Sequence, residues 1–136
     1  MNSSRYVWGS LVVFIYLFLI EFVFHAFIMD GWYNQALHLL RPEAESNALF
    51  HWMALGFVIL AFGFCYIFVQ GYKGRGIGEG IRYGLYVAIT FSVSTNLINH
   101  TIFPYPGEWI VGWLIAYPIE MMTAGAIIAS IYKPKA

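Results

Sequence analysis

Apolar residues run almost unbroken through four stretches, about 6–29, 48–70, 81–103 and 109–132, separated by short polar or Gly/Pro-bearing segments. Each is long enough to cross a hydrocarbon core of about 30 Å as a helix, which takes roughly 20 residues. Backbone groups in hydrocarbon must bond within their own segment, so the runs predict helices TM1 to TM4. The first exceeds the length of a signal-peptide core and reads as an uncleaved span. Asp30-Gly31 ends it, and Tyr33, Leu37 and Leu40 then recur at helical spacing beside Trp32, predicting a short amphipathic interfacial helix between TM1 and TM2. Pro42, Glu43 and Glu45 suit the first turn of the helix that leads into TM2. Pro104 to Gly107 form a turn, and Pro118 is expected to kink TM4. Short connections predict an all-α integral membrane four-helix bundle, up-down-up-down, as a single transmembrane domain over 1–136.

Composition sharpens this picture. Of 136 residues, 60% are hydrophobic and 10% charged, against about 25% charged in soluble domains. Net charge is zero, so no basic field draws nucleic acid. Arg5, Lys73, Arg75, Arg82, Lys133 and Lys135 flank one side of the predicted spans and Arg41 alone the other, which predicts cytoplasmic termini and a cytoplasmic glycine loop. The glycines of that loop, 71–80, superficially match a dinucleotide fingerprint. The fingerprint requires a preceding strand and a βαβ unit, so a flexible loop is the expectation. Cys65 is the single cysteine and excludes an internal disulfide.

Candidate chemistry begins with Glu21 and His25, four residues apart and therefore on one helical face inside an apolar run. TM3 carries Ser92, Asn96, Asn99 and His100 as one polar stripe. At ~1.5 Å per residue, His25 lies ~28 Å and His100 ~27 Å from the cytoplasmic ends of their helices, and His51 within about a turn of the outer surface. Three histidines thus share a depth. With Glu21 they suit a zinc, copper, iron or haem b site, with Asn96, Asn99, Glu120 and Tyr117 around it. Interhelical hydrogen bonding, worth about 1 kcal/mol per bond, is the other reading of the same residues. Under either, Glu21 and His25 are expected to meet Asn96 or His100, because hydrocarbon offers no water to satisfy them. Glu120, near the midplane beside Pro118, also fits the relay carboxylate of an oligomeric proton- or ion-coupled transporter. Serine or cysteine nucleophile arrangements are absent from the pattern, so no turnover is expected.

The elements Glu21-Phe22 with His25, Arg41-Pro42-Glu43, Phe68 with Gly71-Tyr72, Gly80 with Arg82-Tyr83-Gly84, Glu120 with Gly125, and Ile131-Tyr132-Lys133 resemble those of a family of small, uncharacterised bacterial four-span membrane proteins. A tryptophan commonly precedes the Arg-Pro step there, where this chain has Leu40. The likeness covers nearly the whole chain. It implies the four-span fold and a bacterial inner membrane, and it implies no chemistry. The aromatic load, with Phe14, Phe18, Phe22, Phe57, Phe64 and Phe68, exceeds what one small core encloses and keeps open an accessory or scaffold subunit of a larger membrane complex beside the metal or haem reading, although lipid covers such rings equally well.

Overall fold

The computed structural model describes residues 1–134, so Lys135 lies outside the described residues. The described chain is helical, with no strand. Helix α1 covers Ser3–Val23 and continues as a π turn, Phe24–Ile28. Then come α2 (Asp30–Tyr33), a 3-10 stretch (Asn34–Leu39), α3 (Glu43–Ala48) and α4 (Phe50–Gly71). Helix α5 (Ile77–Val87) passes through a second π turn, Ala88–Val93, into α6 (Ser94–Ile102), and α7 is Gly107–Ile131. Three helices, Ser3–Ile28, Phe50–Gly71 and Gly107–Ile131, are long and apolar enough to cross a membrane. The stretch from Ile77 to Ile102 is as long but less apolar, because Ser92, Thr95, Asn96 and Asn99 interrupt it.

The two chain ends and the glycine loop meet at one end of the molecule. Asn2 caps α1 by accepting from the Arg5 amide at 3.4 Å, and its own amide donates to the Tyr132 hydroxyl at 3.3 Å. The Arg5 guanidinium donates to the Ile131 carbonyl at 3.2 Å, and the Tyr72 and Tyr132 rings lie 5.9 Å apart. This half holds the main core, where Val13 and Leu17 of α1, Phe64, Cys65 and Phe68 of α4, and Ala124 and Ile128 of α7 are buried together. The most extensive helix contact joins α5 to α7. Its basis is glycine: a Cβ on Gly80 would strike the Gly125 carbonyl, and one on Gly84 the Met121 carbonyl. Small residues let two backbones touch, and dispersion then acts along the whole seam. Helix α1 packs on α4 and α7, while α4 reaches α5 through Tyr83, whose hydroxyl donates to the Phe64 carbonyl at 2.7 Å.

Toward the other end the helices splay. Residues 50–60 of α4 are exposed except for half-buried Ala54 and Phe57, and most of α6 is exposed too. A second, smaller core of Phe24, Met29, Ala36 and Trp109 ties α7 to the segment that follows α1. That segment differs from the single amphipathic helix expected at Trp32–Leu40: it breaks at Ala36, with φ −141° and ψ 42°. Leu37 and Leu40 are exposed, but Tyr33 turns inward, because polar partners for its hydroxyl lie there.

The loop expected to be flexible is pinned. Helix α5 begins at Ile77, and the Glu79 carboxylate accepts the amides of Lys73 at 2.7 Å and Arg75 at 2.8 Å. Gly74 and Gly76 take φ of 76° and 74°, the left-handed region a side chain would resist, which brings those amides round to one carboxylate. Partial burial alone would raise the Glu79 carboxyl, but the two amide donors and the charges of Arg75 and Arg82 outweigh it and hold the group below its ordinary 4.5. A carboxyl lowered by folding stabilises above its unfolded value and loses that contribution as pH falls through the folded one. Amide-exchange protection at Lys73 and Arg75 should therefore persist at neutral pH and disappear below the ordinary carboxylate range. In Glu79→Gln it should be weak at every pH; equal protection in both proteins would refute the clasp.

Candidate functional site: a polar chain beneath an acidic cleft

Helical spacing sets Glu21 and His25 one turn apart, and the His25 Nε2 lies 3.0 Å from the Glu21 Oε2. The other ring nitrogen, Nδ1, is 2.6 Å from the Tyr33 hydroxyl, and the two rings stack with centroids 5.6 Å apart. The Trp113 indole of α7 donates to the same hydroxyl at 3.1 Å. Donor inventory gives this chain a direction. An indole N–H can only donate, so the Tyr33 oxygen accepts it and the phenolic proton is free to point at Nδ1. In the neutral imidazole the proton then sits on Nε2 and donates to Glu21. Burial pushes the Tyr33 phenol up to about 12, against the lowering effect of the Trp113 bond and with help from the Glu21 charge, so it stays protonated and able to donate. Three donors thus run one way, from Trp113 through Tyr33 and His25, and end on the Glu21 carboxylate, each polarising the next.

Behind Glu21 lies Glu120 of α7, 3% exposed, with its carboxyl facing that of Glu21. Its Oε2 is buried and has no hydrogen-bond partner among the described residues. Pro118, which lacks an N–H, leaves the Leu114 carbonyl without its helical donor one turn away. The neighbouring Tyr117 side chain and Glu21 form a common wall between two clefts in the splayed half. The larger, about 800 Å³, opens between α1, α3 and α4 and is walled by Phe18, Phe22, Phe50, Phe57, Met53 and Ala26. Glu21, His25 and Tyr33 form its polar floor, with Glu43, Ser46 and Asn47 also lining it. The smaller, about 350 Å³, lies between α4 and the second π turn and is lined by Leu60, Phe91, Ser92, Thr95 and Asn96.

Of the residues singled out in the sequence, Glu21 and His25 come together, and Glu120 and Tyr117 lie beside them. His51 is exposed against the Trp52 ring, and His100 is exposed on α6. Among the described residues no three His, Cys, Asp or Glu side chains converge as a metal would require. Shared depth does not become a shared site, because His51 rides the splayed half of α4 and His100 lies beyond the π turn of Ala88–Val93. The expected partnership of Glu21 and His25 with Asn96 or His100 is also not made. Asn96 donates to the Ser92 carbonyl of its own helix at 2.8 Å, and Asn99 is half-buried nearby. Tyr33 and Trp113 supply the partners instead, and sequence reasoning missed both. The available signal was the phenol eight residues after His25, close to two helical turns on and so on a similar face. No family model, curated protein or solved structure matches the chain.

Proposed function

We propose that the chain is a four-span protein of a bacterial inner membrane, both termini cytoplasmic, that binds a small ligand in an outward-opening cleft and performs no chemistry on it. In this reading residues 81–102 form the remaining span, third in chain order, with Glu79 outside it, and α2 with its 3-10 continuation lies at the outer interface. Support for the orientation comes from the basic residues Arg5, Lys73, Arg75, Arg82 and Lys133, which gather at the end where the termini meet. The resemblance to small bacterial four-span proteins agrees with it. Lipid covers the exposed apolar surface of α4 and α6, including Trp52, Leu55, Ile98 and Ile102.

The observation that carries the functional reading is the larger cleft. Its volume, about 800 Å³, falls in the range of about 300–1,000 Å³ usual for small-molecule sites, and its few polar groups converge on one floor between apolar walls. A metal or haem centre has less support, since only one imidazole reaches that floor.

Accessibility tests this directly. Ala26 is exposed on the cleft wall, whereas the native Cys65 is buried. In a Cys65→Ala background, Ala26→Cys should react with a membrane-impermeant maleimide added outside right-side-out vesicles. Reaction only after permeabilisation would reverse the orientation, and no reaction in either case would eliminate the open cleft.

A further inference from the structure

Resting on that cleft reading, we propose that the ligand is an amphipathic organic cation whose charged group sits at Glu21 and whose apolar body lies along the aromatic walls. Charge is the first reason. Glu21 and Glu43 line the cleft with His25, and no lysine or arginine does. Arg41, at the same end, is held by Glu45 at 3.1 Å.

The second reason is independent of the cleft's own lining. Glu120 is 3% exposed, faces Glu21, and keeps an unpartnered Oε2. Two facing carboxyl groups have no lysine or arginine beside them, and in surroundings of low dielectric a second negative charge there is costly without a positive counterpart. A cation docked at Glu21 supplies one. An anion would meet carboxylates with no basic side chain to hold it, and a bare metal ion would find too few converging donors.

Wall chemistry narrows the class further. Phe18, Phe22, Phe50 and Phe57 present apolar rings, and Tyr33 and Tyr117 add two more at floor level. Aromatic faces attract a diffuse cation such as an alkyl- or arylammonium, and the apolar remainder of such a molecule is covered by the same walls. A strongly hydrated inorganic cation would gain nothing from these rings.

The isosteric ions tetraphenylphosphonium and tetraphenylborate separate charge from shape. Each is measured by equilibrium dialysis against the protein in lipid nanodiscs, with empty nanodiscs subtracted. Tetraphenylphosphonium should bind saturably, one per chain, and tetraphenylborate should not. Glu21→Gln should weaken the phosphonium at least ten-fold, and Ala26→Trp, which fills the cleft, should abolish it. Should Glu21→Gln prove too unstable to purify, Glu43→Gln, at the exposed rim, should still weaken binding several-fold. Equal binding of borate and phosphonium would overturn the cation assignment and leave the cleft standing, as would unchanged phosphonium affinity in both carboxamide variants. If neither ion binds while Ala26→Cys is still labelled from outside, the cation assignment fails alone. If that label is also lost, the cleft reading falls with it.

Discussion

Replacing Gly84 with leucine is expected to pry α5 from α7 and destabilise the protein by about 3 kcal/mol or more, the upper end of what overpacking costs. The first added carbon would overlap the Met121 carbonyl, and the next nearest atoms also belong to the α7 backbone. Backbone atoms cannot swing aside as a flexible side chain can, so the helices must separate along the whole seam. Gly80 and Gly125 sit on the same seam, each directly under the other's carbonyl, and would lose contact with it. Gly78 provides the control, because a Cβ there meets nothing within 4 Å. Gly78→Ala should leave stability unchanged or raise it by up to about 1 kcal/mol through helix propensity. Thermal melting in detergent, followed by circular dichroism, measures both. A Gly84→Leu protein melting with the parent would mean that α5 and α7 do not touch at their backbones.

Trp109→Ala is expected to cost about 3–5 kcal/mol, the usual range for emptying a buried tryptophan site. Trp109 is 1% exposed and is the largest fully buried side chain. Its ring meets Tyr33 edge-on at 4.7 Å and stacks near Tyr105 at 5.8 Å. The loss should therefore reach the polar chain. Without the indole behind it, Tyr33 is free to leave His25, and the cleft floor comes apart with the small core of Phe24, Met29 and Ala36. Trp109→Phe keeps a ring in place and should cost clearly less. Melting curves report the stability, and the near-ultraviolet dichroism of the aromatic cluster reports whether Tyr33 stays seated. A Trp109→Ala loss below about 1 kcal/mol would show that this core does not hold α7 to the segment after α1.

Much of the molecule is determined by one-dimensional pattern. Apolar runs of sufficient length become helices whatever their neighbours, because backbone groups shielded from water have no other partners. The contact between Glu21 and His25 was legible for a similar reason: a spacing of four residues puts two side chains on one face before any packing is considered. Distance along each helix follows just as directly, at ~1.5 Å per residue.

Azimuth was not legible, and azimuth decides the site. A helix of low amphipathicity has no strongly preferred face, so its rotation is set by the partner it packs against rather than by its own pattern. The π turns add to this: each inserts extra residues per turn and rotates everything beyond it, by roughly 100° for one residue. One such turn carries His25 and another precedes His100, and both lie in the halves where depth alone had placed them together. Tertiary packing also turned Tyr33 inward. A phenol in an amphipathic segment can lie at an interface or turn toward a neighbouring base, and the stacked His25 ring with the Trp113 indole selects the second. Glu120 completes the contrast. Its position in the chain marked it as a costly buried carboxyl, but only the packing of α7 against α1 set it facing Glu21, with one oxygen left unpartnered because no donor on either helix reaches it.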